Sequence, residues 1–348
     1  MTPGRRILFF ADAGPQVGGG HVMRCLTLAR ALTERGAECA FVESRAAAPI
    51  LRRFGWPAQT LLAMISTDDL SAQVDYARRI ADLFAAQVVV IDHYKTAAAD
   101  ERRLAGDDRR VAVIDDLADR SHACDLILDP GFGRRPEAYS ALAAAAQAML
   151  TGPSYALVRQ EFADARPRAL SRRAKHGPVT RALVSLGLTD VDGVTSRVVR
   201  ALVPVLGEVR VDVVLGEGAA SLEDLTKLTK SDRRVHLWVD TAEMASLMAD
   251  ADVAIGAGGS SVWERCVVGL PSITLSLADN QRPMAQAMAK AGFTLAVDAR
   301  AERFETELQT AWTRLVTDRD LRWRLAERAA DLCDGQGTER VAEAVMGL

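Results

Sequence analysis

The sequence predicts an α/β fold made of two doubly wound domains, and three observations carry that reading. Short aliphatic runs alternate with longer segments of helical spacing, the rhythm of a parallel sheet covered by helices. The rhythm occurs twice, before and after a polar, basic, proline-containing stretch from Phe162 to Pro178, "FADARPRALSRRAKHGP". The 348 residues, 49% of them hydrophobic, suffice for two cores of about 150 to 180 residues each.

The first series opens with "RILFFA" (6–11), a helix from about His21 to Arg35 stopped by Gly36, and "ECAFV" (38–42). It continues with "QVVVI" (87–91), "VAVI" (111–114, with its flanking arginine) and "DLILD" (125–129). The alanine-rich piece 141–148 reads as a helix by propensity. The first domain therefore spans 1–162 and the linker 163–178. The second domain, 179–348, carries strands at 181–187, 210–216, 233–239, 252–259, 271–277 and 293–297. Segments 241–251 and 280–292 have helical spacing, the latter closed by Gly292, and the last helices, near 302–315 and 318–333, pack back on the domains with the tail. Two such domains facing a cleft are the simplest arrangement, with ligands beyond the carboxyl ends of the strands.

Composition narrows the function. Lys and Arg total 43 against 46 Asp and Glu, a formal charge of -3, so no basic domain points to nucleic acid. The 5 cysteines lie far apart without a CxxC, which suits a reducing cytoplasm and argues against both a disulfide framework and a sulfur-rich zinc site. The N-terminal apolar run is cut short by Asp12, and no 18-residue apolar stretch follows; the expectation is a cytoplasmic protein without stable membrane association.

The residues that could carry chemistry stand at the ends of strands. After 6–11 comes "DAGPQVGGGHVMRC", with Asp12, Gly18, Gly20, His21 and Arg24. Glycines let a ligand approach the backbone at a helix start, yet the spacing is neither GxGxxG nor a P-loop. His21 reads as a ligand or catalytic residue or as a packing histidine. Arg24 in a first turn is disfavoured by the helix dipole, which weakens a mere surface role. The next strand ends in Asp92, His93 and Tyr94, and the following one in Asp115 and Asp116. Those paired carboxylates could bind a metal, perform acid–base work or cap a helix, and no clustered His/Asp spacing supports a metal. In the second domain, "DVAIGAGGSSVWE" forms a strand and a turn whose Gly258, Gly259, Ser260 and Ser261 N–H groups could surround a pyrophosphate. Glu264 either faces a ligand or closes a capping box with Ser261. Asn280 and Gln281 in "LADNQ" could bind sugar hydroxyl or acetamido groups, or Asn280 could cap a helix.

Assembled in order, these motifs resemble the UDP-sugar hydrolases of pseudaminic acid biosynthesis, which are related to two-domain GT-B glycosyltransferases and to the N-acetylglucosaminyltransferase of peptidoglycan synthesis. The resemblance rests on "GGGHVMRC", Asp92-His93-Tyr94, "DDL" (115–117), "GPSYALVRQEF" (152–162), "GGSSVWERC" and "DNQ". It implies two Rossmann-like domains and hydrolysis of UDP-2,4-diacetamido-2,4,6-trideoxy-β-L-altropyranose to UDP and the free sugar, by inverting water attack, for flagellin or surface glycosylation. His21 is then the general base, with Tyr94 and Asn280 on the sugar side. Glu264 grips the ribose, Gln281 the diphosphate side, the 258–261 turn the pyrophosphate, and the backbone at Leu237 and Val239 the uracil. Asp12, Gly18, Gly20 and Arg24 complete the substrate-binding set. No cofactor or metal is expected if backbone dipoles neutralise the leaving UDP, and the only protein partners implied are transient contacts with neighbouring pathway enzymes.

Three positions depart from the family pattern: Phe10 replaces an arginine, Gly14 a serine, and Leu188 the second glycine of a pair. They bear on which diacetamido sugar is accepted. A glycosyltransferase using a related UDP-sugar and a catalytically silent UDP-sugar-binding protein are the competing readings; the chain shows no basic amphipathic helix for a lipid acceptor.

Overall fold

Unbroken aliphatic runs, rather than alternating ones, make the strands, because parallel strands are covered on both faces. The computed structural model describes residues 4–14, 19–65, 67, 69–175, 177–187 and 189–348. The contacts divide the chain into two units, 1–157 with 336–348, and 158–335.

The first unit contains β1 (Arg6–Ala11), α1 (Gly20–Glu34), β2 (Glu38–Ser44), α2 (Ala47–Arg53), β3 (Leu61–Ile65), α3 (Leu70–Leu83), β4 (Val88–Asp92), α4 (Ala98–Ala105), β5 (Arg110–Ile114), β6 (Leu126–Asp129) and β7 (Ala148–Thr151). All pairings are parallel, in the order β3-β2-β1-β4-β5-β6-β7. The pleat sends Ile7 and Phe9 to one face, where they meet Leu26, Leu32 and Val345, and Leu8 and Phe10 to the other, where they meet Val74, Ile80 and Leu104.

The second unit contains α5 (Gln160–Arg173), β8 (Arg181–Ser185), α6 (Val194–Leu202), β9 (Arg210–Leu215), α7 (Leu222–Ser231), β10 (Val235–Val239), α8 (Met244–Asp250), β11 (Val253–Ala257), α9 (Ser261–Val267), β12 (Ser272–Ser276), α10 (Arg282–Lys290), β13 (Leu295–Asp298), α11 (Phe304–Thr317) and α12 (Arg319–Leu332). Its sheet is also parallel, ordered β10-β9-β8-β11-β12-β13. Strands β8, β9 and β11 bury Val184, Val213 and Ile255 against Val198, Leu308 and the fully enclosed Trp312. Finally, α13 (Gly337–Gly347) returns to the first unit, where Arg340 donates to the carbonyl of Ser154.

Each sheet reverses its strand order once, between β1 and β4 in the first unit and between β8 and β11 in the second. Such switch points are where open α/β sheets place ligands, and they locate both groups of residues described below.

The structure differs from the sequence reading in several places, beginning with the tail 336–348, read there as part of the second domain but packed with the first unit through Val341, Ala342 and Val345. The division falls at 157/158, ahead of the 163–178 stretch. Much of that stretch is α5, which carries Pro167 inside it. Arg166 on α5 donates to the carbonyls of Val267, Ala330 and Cys333, which fastens the helix to the second unit. The 141–148 piece forms turns leading into β7, which pairs with β6 from Ala148 on, because alanine propensity is a weak preference that tertiary pairing overrides. The edge strands β3 and β7 were not anticipated; their sequences lack the β-branched run that marks the central strands.

Candidate functional site

In the first unit the switch point is occupied by a buried polar cluster. Asp92 ends β4 with no exposed surface, and α1, which starts at the last glycine of the run, brings His21 and Arg24 to it. Nδ1 of His21 lies 2.5 Å from Oδ1 of Asp92. Arg24 grips the same carboxylate through Nε to Oδ2 at 2.5 Å and Nη2 to Oδ1 at 2.6 Å, and its Nη1 donates to Oδ2 of Asp116 at 2.9 Å. Arg24 stands just past the first turn of α1, near the end where the helix dipole disfavours a cation; two carboxylates offset that cost here.

These contacts set the proton positions. Burial alone would raise the Asp92 carboxyl, but Arg24 and His21 outweigh it and hold the group well below the usual carboxylate range. Asp92 is therefore an acceptor, so Nδ1 of neutral His21 carries the proton and Nε2 carries the lone pair. Tyr94 packs edge-on against the His21 ring, centroids 4.4 Å apart. Burial, then the nearby Asp116, raise its phenol, so Tyr94 remains a hydrogen-bond donor.

His93 is arranged in the opposite sense. Its Nδ1 accepts from the Lys95 backbone N–H at 3.1 Å, which leaves the proton on Nε2, 3.8 Å from Oδ1 of Asp12. Burial lowers its pKa, partly opposed by Asp12. Phe10 stacks on this ring at 5.3 Å, so an aromatic fills the place where the resembling family carries an arginine. Gly20 is the first residue of α1, whereas Gly18 and Leu188 lie outside the described residues.

The paired aspartates part company. Asp116 joins Arg24, while Asp115 turns into a second network that accepts from the Ala118 N–H, Arg120 and Tyr139 at 2.8, 2.9 and 2.8 Å. Among the described residues no group of three or more potential metal ligands exists. Beside this network, His122 binds Glu101 at 2.7 Å and faces Asp115 at 3.7 Å, a distance too long for a hydrogen bond but short for two charges. Burial would lower His122, yet Asp115 and Glu101 lift it to about 9. A folded-state pKa above the unfolded value near 6.5 stabilises the fold fully below that value and loses the contribution as pH rises through the folded pKa. The urea midpoint is therefore expected to fall between about pH 6.5 and 9, and His122→Gln to flatten that decline; an equal decline in the variant contradicts the assignment.

In the second unit, β11 runs into the turn Gly258–Ser260 and then α9. Gly258 is closely packed: a Cβ there would lie a tight 3.2 Å from Cβ of Gln281 and 3.4 Å from the Leu275 carbonyl. Gln281 is fixed in this position because its Oε1 accepts the Leu277 N–H at 3.1 Å. The capping box does not form. The N-cap is Ser260, without a side-chain bond; the Ser261 hydroxyl accepts from Arg265, and Glu264 pairs with Arg159. Both Arg159 contacts, at 3.0 Å, fall on Oε1 of Glu264, which leaves Oε2 as the outer acceptor. Asn280 sits inside a short 3-10 turn, Asp279–Gln281, rather than at a helix N-cap. Leu237 is half-buried in β10 and Val239 is exposed at that strand's carboxyl end.

Sequence reasoning placed Asp92 only at a strand end and weighed Asp116 with Asp115 for metal binding, acid–base work or capping rather than as a partner of Arg24, and it missed Arg159 and Arg265. The signal for Asp92 was available: a carboxylate ending a wholly apolar strand has to find buried donors. Arg159 and Arg265 carried no local signal, because their partners are fixed by tertiary packing.

Comparisons with known proteins bear on the fold. Residues 194–340 match the glycosyltransferase family 28 C-terminal domain. Acinetobacter baumannii MurG superposes with a TM-score of 0.67 at 16% identity, covering 99% of this chain and 100% of that one. The UDP-GlcNAc 2-epimerase of Neisseria meningitidis, bound to UDP-GlcNAc, gives 0.68 at 13% identity with the same coverage. The architecture is of the GT-B type. Two sequence relatives extend over most of the chain. The UDP-2,4-diacetamido-2,4,6-trideoxy-beta-L-altropyranose hydrolase of Campylobacter jejuni is 22% identical over 83% of this GT-B chain and 97% of its own. The spore coat polysaccharide biosynthesis protein SpsG of Bacillus subtilis is 24% identical over 97% of each. No helix among the described residues is long and apolar enough to cross a membrane.

Proposed function

We propose that the protein is a UDP-sugar-dependent enzyme in which His21 activates an oxygen nucleophile that displaces UDP from the anomeric carbon. The observation that carries this reading is the 2.5 Å contact between His21 Nδ1 and Asp92. It fixes the tautomer whose Nε2 can accept a proton from a hydroxyl or from water near neutral pH. In the proposed step, the nucleophile's proton moves to Nε2, its oxygen bonds to the anomeric carbon, and the carbon–oxygen bond to UDP breaks. Tyr94 and Asn280 serve the sugar, with Asp12, Gly20 and Arg24 as supporting residues. In the second unit Glu264 takes the ribose hydroxyls through Oε2, the 258–261 turn and Gln281 hold the diphosphate, and the backbone at Leu237 and Val239 meets the uracil. The chemistry calls for no metal, since N–H dipoles meet the charge that develops on UDP.

Two nucleophiles suit this base. Transfer to an acceptor hydroxyl is favoured by the glycosyltransferase match over 194–340 and by GT-B structures such as MurG. Hydrolysis of the UDP-diacetamido-altropyranose, supplying a sugar for nonulosonic acid synthesis in the cytoplasm, is favoured by the altropyranose hydrolase relative, of which the alignment spans 97%. UDP release from a panel of UDP-acetamido sugars, with EDTA present and with or without acceptor alcohols, separates the two. Release that requires an acceptor supports transfer, and release in buffer alone supports hydrolysis. If every UDP-sugar stays intact under both conditions, the reading fails.

Glu264→Gln keeps the shape of the side chain and removes the charge. A hydrogen bond to a charged group contributes about 1.5–3 kcal/mol, so KM is expected to rise about 10- to 100-fold with kcat nearly unchanged. Steady-state kinetics check this; a fall in kcat at constant KM would move Glu264 from the ribose to the reacting centre.

A further inference from the structure

Arg265 lies on α9, directly behind the turn that follows β11, and is 2% exposed. Its Nη2 donates to the Ala257 carbonyl at 3.0 Å and to the Thr274 hydroxyl at 3.3 Å, and its Nη1 to the Ser261 hydroxyl at 3.2 Å. Its buried Nε has no hydrogen-bond partner. Among the described residues no carboxylate forms an ion pair with this guanidinium, since the adjacent Glu264 is taken by Arg159. Burial pushes its pKa down to about 10. The sequence makes room for the group: a Cβ on Gly256 would stand 2.1 Å from Nη1.

A buried cation without a counter-ion is costly in a resting protein and becomes favourable when an anion arrives. Here the cation holds both ends of the turn, at Ala257 and Ser261, while its charge stays unneutralised beneath Gly258–Ser260. We propose that Arg265 is a positioning residue that fixes this turn and sets its preference for a diphosphate over a monophosphate or an uncharged nucleoside. The inference rests on the nucleotide-binding reading of the second unit. It adds a determinant that acts through the turn rather than by touching the ligand.

The test is equilibrium binding of uridine, UMP and UDP to the full chain, as wild type, Arg265→Lys, Arg265→Met and Gly256→Ala, at low and high salt. Thermal melting of each variant is followed in parallel. Wild type is expected to tighten with each added phosphate. Arg265→Met should weaken UDP about tenfold or more while leaving uridine within about twofold, and Arg265→Lys should recover part of the preference. Gly256→Ala retains the charge but displaces the guanidinium, so it should also lose the preference; with Arg265→Lys it carries the test if Arg265→Met does not fold. Equal weakening of all three ligands, or an unchanged preference, overturns the role of Arg265 and leaves the nucleotide reading intact. Failure of the wild type to bind UDP removes the nucleotide reading and this inference with it.

Discussion

His21→Ala is expected to lower kcat for UDP-sugar turnover about 100- to 10,000-fold, the range of a positioned general base, while UDP affinity changes little. Two features of the structure separate these effects. The imidazole is 5% exposed, edge-on to Tyr94 and anchored through Nδ1, so Nε2, which has no hydrogen-bond partner among the described residues, is suited to proton transfer. The residues assigned to the nucleotide belong to the second unit, on α9 and the Asp279–Gln281 turn. Kinetics with saturating substrate, paired with calorimetric titration of UDP, check the split. Wild-type turnover by His21→Ala would remove the base from the account; a parallel loss of UDP affinity would make His21 a binding residue.

Asp92→Asn should damage both activity and stability, which distinguishes it from His21→Ala. The amide keeps the shape but can present an N–H toward His21, favouring the tautomer that turns the lone pair away from Nε2. It also removes the charge that Arg24 binds through two hydrogen bonds. Breaking one side of a buried ion pair costs about 3–5 kcal/mol, which for a unit of this size lowers the melting temperature by roughly 10 °C. The kcat loss should be at least that of a general base, about 100-fold or more. Differential scanning calorimetry and kinetics on one preparation measure both. An unchanged melting temperature would contradict the view that Asp92 neutralises Arg24 in the folded state.

How far these features could be read from the sequence depends on the range of the forces involved. The alternation of apolar runs and helical segments is local, so both sheets and their central strands were legible, as were the helix-start position of His21 and the strand-end positions of Tyr94 and the Gly258–Ser261 turn. Glu264 shows where local reading fails. Ser261 and Glu264 have capping-box spacing, yet Arg159, more than one hundred residues earlier, draws Glu264 away. A guanidinium offers the carboxylate a full opposite charge and two N–H donors, against the single backbone N–H of a cap, once packing brings it within reach. The aspartate pair at 115 and 116 shows the same effect: adjacency suggested a shared task, but successive residues leaving a strand point in opposite directions. One therefore meets Arg24, and the other Arg120 and Tyr139. The 141–148 piece failed for a related reason, since alanine propensity is a weak preference that a sheet edge overrides.

The protonation state of His21 bears most directly on the chemistry, and long-range 1H–15N correlation NMR on 15N-histidine-labelled protein at pH 7 reads it. For the neutral imidazole the structure predicts the proton on Nδ1 and the lone pair on Nε2, with the resonances assigned by comparison with His21→Ala and the Nε2 resonance shifting when UDP-sugar is added. A neutral His21 that carries its proton on Nε2 would contradict the assignment of His21 as the base.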